Sequence, residues 1–111
     1  MSKSMRFNPD LSDLELSKED EAKSPQEITS LVLRNIVLNY ASIKQGLQEN
    51  DRRKFYKICD VFDVAIKDKL ETIELEDDWM GFLRKCRKEG TMMPTKLLRK
   101  IEELLDEVKD R

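Results

Sequence analysis

Four of the five acids in the stretch ETIELEDDW from Glu71 to Trp79, Glu74, Glu76, Asp77 and Asp78, crowd together, and no other stretch sets acid so tightly beside hydrophobic residues. Clustered carboxylates are the hard oxygen ligands that a divalent cation takes. They are equally what the first turn of a helix takes, because its free amides and its dipole favour negative charge. Nothing elsewhere in the chain supplies a ligand geometry, so the metal reading stops at ligand type. The junction reading uses every residue. Ile73 and Leu75, two apart, share one side of an extended segment, Glu71 and Glu74 stay wet, and the acids from Glu76 to Asp78 open a helix whose buried stripe begins at Trp79.

Other reactive chemistry is sparse. The chain contains no histidine, so a hydrolytic site needs a carboxylate pair, a Ser-Lys arrangement or an activated cysteine, and none has a recognisable spacing. Three isolated glycines cannot build a phosphate-binding loop. Cys59 and Cys86 lie apart in helical segments without CxxC spacing, and read as free, buried or part-buried thiols of a reducing compartment. The expectation is a protein that is not an enzyme, with no catalytic residue, metal, cofactor or small-molecule substrate.

Two clusters are candidates for binding. The first is basic: Arg84, Lys85, Arg87, Lys88, Lys96, Arg99 and Lys100 stand against a single acid, Glu89. Such a patch on two helices joined by a turn could contact phosphates, as in a small DNA-binding regulator, although no residue set marks a recognition helix. The competing reading is a solvated surface, offset by the acids of residues 102 to 110. The second cluster is apolar. Met92 and Met93 precede Pro94 in a loop, where adaptable side chains suit either a partner or the end of a small core. With Leu97, Leu98, Leu104 and Leu105 they form the candidate surface for a protein partner or for self-association.

The elements that must position these residues follow from composition and period. A chain of 111 residues is one domain's worth; 40% charged and 6% aromatic residues favour helices with solvated faces over a sheet protein. A net charge of −2 excludes a global field toward nucleic acid or an anionic membrane. The start MSKSMRFNPD lacks a hydrophobic signal core and the apolar run from Leu31 to Leu38 is broken by Arg34 and Asn35, so a cytoplasmic, non-spanning protein is expected.

Residues 1–24 read as an acidic, loosely ordered and partly disordered arm, with Met5, Phe7, Leu11, Leu14 and Leu16 as anchors onto its own domain or a partner. Ser24-Pro25-Gln26-Glu27 is a capping sequence that starts a helix over 25–45, with Ile28, Leu31, Val32, Ile36, Tyr40 and Ile43 in a broad stripe and Gly46 as terminator. Asn50-Asp51 opens a second helix over 51–68 with Phe55, Ile58, Cys59, Phe62, Ala65 and Ile66 on one face. A third spans 77–88, stopped by Gly90, and a fourth 94–109, where Leu97, Ile101, Leu104 and Val108 recur at helical steps.

The order of elements resembles small proteins of tailed bacteriophages and prophages. The residues that carry the resemblance are Val32-Leu-Arg-Asn-Ile-Val-Leu-Asn39, Arg53-Lys-Phe-Tyr-Lys-Ile-Cys59, Ile73-Glu-Leu-Glu-Asp77, and Pro94-Thr-Lys-Leu-Leu98 with Ile101 and Glu102. It covers about residues 25 to 105 and implies a small, non-enzymatic phage product acting through contacts, with no catalytic residue to carry over. The longer acidic segment before residue 25 departs from that pattern. The fold expected is therefore all-α: a compact four-helix domain over 25–111 with one short extended segment near 72–75, able to pair with Met5-Arg-Phe7 as a two-stranded sheet.

Overall fold

The most apolar helix is organised by its first residues. Ser24 is extended and its hydroxyl accepts from the amide of Glu27 at 3.2 Å, while Pro25 occupies the first helical position, where no donor is needed. Such a cap contributes about 1 kcal/mol. In the computed structural model, which describes residues 2–108, this helix is one of seven elements. In chain order they are β1 (Ser2–Arg6), α1 (Lys18–Glu21), α2 (Pro25–Ile43), α3 (Glu49–Asp68), β2 (Thr72–Glu76), α4 (Asp77–Glu89) and α5 (Lys96–Glu107). The protein is mainly helical, with one small antiparallel sheet; α1 is a single turn capped by Ser17 that the sequence reading does not contain.

α2 lies against α3, α4 and α5 and so takes the central place its composition implies. Its buried line runs through Ile28, Leu33, Ile36, Val37 and Tyr40. Leu31 and Ile43, expected in the same stripe, are instead exposed, as is Leu38, since one helix face suffices to meet three neighbours. Past Ile43 the amide of Gln45 donates to Ser42 O and that of Gly46 to Ala41 O, the paired bonds of a Schellman ending. The left-handed residue there is Gln45, at φ 60°, with Gly46 following at φ 123°. The expected glycine terminator is thus one place beyond the position that needs it.

α3 starts at Glu49, two residues before the expected start at 51, and Gln48 caps it without a side-chain hydrogen bond. Asn50 and Asp51 sit inside the first turn, where acid is favoured by the dipole. Ile58, Phe62 and Ala65 form its buried line. Of its ion pairs, Arg53 reaches back to Glu49 and Asp63 holds Arg34 of α2, both at 2.6 Å.

The sheet closes the domain from the other end of the chain. β1 runs antiparallel to β2 with Ser2 opposite Glu76, Met5 opposite Ile73 and Arg6 opposite Thr72. Met5, Ile73 and Leu75 turn inward and are buried. Phe7 follows them into the core, its ring stacked on Phe62 with centroids 5.2 Å apart, an arrangement worth about 1 kcal/mol beyond the area it buries. Leu11 is also buried, and Asp13 holds Lys100 of α5 at 3.3 Å. Met5, Phe7 and Leu11 thus pack on the chain's own domain, one of the two places expected for these anchors.

α4 follows β2 without a loop and buries Met80, Phe82, Leu83 and Cys86, with Trp79 half-buried. Gly90 ends it in extended conformation, and its lack of a side chain matters: a Cβ there would stand 2.8 Å from Cys86 O and 3.0 Å from Asn39 Nδ2 of α2. α5 begins at Lys96, not 94, because Thr95 caps it by accepting from the Leu98 amide at 3.0 Å. It ends at Glu107; residue 109, where the sequence expectation ends this helix, and residues 110–111 of the expected domain lie outside the described residues. Among the described residues no helix is long and apolar enough to cross a membrane.

Candidate functional site

Glu74, Glu76, Asp77 and Asp78 are all exposed at the turn from β2 into α4, with Asp77 and Asp78 in the helix's first turn. Ser2 Oγ donates to Glu74 Oε2 at 3.5 Å across the sheet. Among the described residues no group of three or more His, Cys, Asp or Glu side chains is placed to hold a metal ion. The geometry here is that of the junction: the burial of β2 alternates, with Ile73 and Leu75 in and Thr72, Glu74 and Glu76 out.

The two thiols are far from reactive. Cys86 is fully buried, and burial first, then the charge of Asp51, pushes its thiol up to about 12 against the opposing Lys85. Cys59 is half-buried and is also raised by burial, with Arg34 pulling the other way. A thiolate is the nucleophilic form, so neither site activates sulfur.

The seven bases do not share one face. Arg84 turns onto the end of α5, where its Nη2 donates to the carbonyls of Leu105 at 3.1 Å and Val108 at 2.6 Å. Arg87 reaches the same helix one turn earlier, donating to Glu102 O at 3.2 Å and to Asp106 Oδ1 at 2.7 Å. Together they staple α4 to α5, and Arg84 satisfies carbonyls that the helix end leaves open. Lys85 points toward α2, with Nζ 5.7 Å from the Tyr40 ring centroid; hydrogen bonding to the Tyr40 side chain, that group's charge and Asp51 keep its ammonium pKa above the ordinary value. Lys100 holds Asp13, and Arg99 lies 3.6 Å from Glu103 on its own helix. Lys88 and Lys96 are exposed on different elements.

The apolar candidates divide as well. Leu104 and Leu105 are core residues, 1% and 0% exposed, and present nothing to a partner; this corrects their place in the expected contact surface. The heptad-like spacing of α5 is spent on its own domain, as the helix has α2 and β1 beside it. Leu97 and Leu98 are half-buried at its start. Met92 and Met93 do stand in the loop between α4 and α5, and Met93 is 83% exposed. Met92, Pro94 and Leu98 line an open groove of about 490 Å³ edged by Lys96, Arg99 and Glu102.

A second apolar hollow is absent from the sequence reading. It lies between α3 and β2, has a volume of about 420 Å³, and is formed by Val61, Val64, Leu70 and Ile73 with Asp60 and Glu74 at its rim. The signal for it is modest: Val61 and Val64 are an apolar pair three apart, off the line of Ile58, Phe62 and Ala65.

Compared with known proteins, the chain matches no family model, no curated protein and no solved structure.

Proposed function

We propose that this chain is a small non-enzymatic accessory protein that acts through protein–protein contacts in the cytoplasm, of the phage or prophage kind that its pattern of helices resembles. The observation that carries the reading is Met93, 83% exposed beside Met92 in the loop that leads into α5. Large apolar side chains held in water at a loop tip, next to a groove lined by Leu98, are what a contact surface presents before its partner arrives. The free thiols accord with a reducing compartment. The phosphate-binding alternative receives less support, since Arg84 and Arg87 spend their donors on α5.

Self-association tests the reading without a known partner. Light scattering over a concentration series should give a mass rising above the 13.1 kDa of one chain, and Met93→Lys should abolish the rise. A strict monomer at high concentration, together with salt-sensitive retention on nonspecific DNA that Lys88→Glu and Arg99→Glu remove, would replace contact with nucleic-acid binding as the function.

A further inference from the structure

We propose that the outer edge of β2 is a docking site for an extended, basic peptide strand, which would add to the sheet as its third strand and set alternate apolar side chains into the hollow beside α3. The hydrogen-bond parity of the sheet leads to this edge. The amide of Phe7 donates to Glu71 O at 2.7 Å, so Glu71, Ile73 and Leu75 are the positions that exchange bonds with β1. In an antiparallel pair the intervening residues point their amides and carbonyls the other way. Thr72 and Glu74 therefore direct backbone donors and acceptors outward, and the sheet of the described residues has no further strand to meet them.

The apolar hollow lies along the same edge. Its walls come from α3, Leu70 and β2 and include no residue of β1, which places it on the far side of β2. Val64 is 52% exposed and Leu70 39% exposed, unusual for large apolar residues flanking a bare strand edge. A strand laid here would place every second side chain over Val61 and Val64, while the others would lie on the outer face with Glu74 and Glu76.

Charge selects the occupant. Asp60, Glu71, Glu74, Glu76, Asp77 and Asp78 are all exposed along or beside this edge. A second copy pairing β2 to β2 would bring acid against acid, a destabilising arrangement. A strand alternating Lys or Arg with Val or Ile meets both requirements.

The probe is the capped heptapeptide Lys-Val-Lys-Val-Lys-Val-Lys, titrated into the whole chain and followed by amide chemical shifts. Saturable shifts at residues 71–76 and at Val61 and Val64 are expected, with none from Glu-Val-Glu-Val-Glu-Val-Glu. Thr72→Pro removes an outward amide without touching the ladder to β1, and should weaken binding about tenfold, the scale of one lost hydrogen bond. Val64→Asp, at an exposed position that folding tolerates, should do the same through the hollow. No saturation, equal binding of the acidic peptide, or equal binding of a Lys-Val peptide N-methylated at alternate amides would overturn the proposal. So would a rise in mass with concentration that Thr72→Pro abolishes, which would assign the edge to a second copy. Neither arm involves Met92 or Met93, so failure here is distinct from failure of the loop-mediated contact proposed above.

Discussion

Arg84 on α4 closes the end of α5: its Nη2 donates to the backbone carbonyl of Val108 at 2.6 Å. A cation at a helix C-terminus answers both the open carbonyls and the dipole. Replacing Arg84 with Met keeps most of the stem and removes the donors. The expected loss is about 2 kcal/mol in urea unfolding, the range for hydrogen bonds made by a charged group, with faster amide exchange confined to the last turn of α5. An unchanged midpoint would show that Arg87 alone holds the two helices together.

Phe7 makes the amino-terminal segment part of the core. It is fully buried against Phe62, so Phe7→Ala should cost about 3–5 kcal/mol. Deleting residues 1–24 also removes Met5 and Leu11, and should leave a chain without a cooperative thermal transition. A truncated chain that melts like the parent would mean that α2 to α5 bury enough surface by themselves.

Two helices end on residues poorly suited to the conformation. Gln45 and Lys69 hold φ of 60° and 52°, the left-handed region that costs a residue with a Cβ about 1 kcal/mol. Gln45→Gly and Lys69→Gly should each raise stability by up to about 1 kcal/mol, measured by chemical denaturation. Because the sites lie on separate turns, the double variant should show the sum. A loss at either site would mean that its side chain contributes more than the strain it carries.

The buried thiol of Cys86 gives stability a defined alkaline dependence. In the unfolded chain it ionises near its ordinary value of 9.0, whereas in the folded chain burial holds it neutral up to about 12. A group whose folded value is raised contributes fully below the unfolded value and loses its contribution as pH climbs toward the folded one. Unfolding midpoints of the parent should therefore fall between pH 9 and 12 more steeply than those of Cys86→Ala. Iodoacetamide at pH 8 should leave Cys86 unmodified in the folded chain; ready labelling would show that the site opens.

Much of this was legible from local pattern. Ser24 announced its helix through hydroxyl spacing, and ETIELEDDW contained both its alternation and the acids of the turn that follows. The extended segment's pairing with Met5 could be read because both segments carry apolar residues at period two. What local pattern omits is the neighbour. Periodicity says that Leu104 and Leu105 share a side of their helix, but whether that side meets α2 or water is decided by the rest of the chain. It says that Arg84 and Arg87 flank a buried stripe, but long side chains can turn toward solvent or back onto another helix, and here they turn back. The hollow beside β2 needs two elements to exist, so no single stretch describes it.

Ser2 and Glu74, joined across the sheet, stand 72 positions apart. During synthesis β1 emerges before its partner, which follows only after both α2 and α3. Closing so long a loop is entropically costly until intervening structure shortens it. A helical hairpin of α2 and α3 shortens that loop, and Met5 and Phe7 stay without their β2 partner until that strand has been made. A strand made before these helices is thus sheltered only after them, and holding β1 away from β2 would delay folding at its final step.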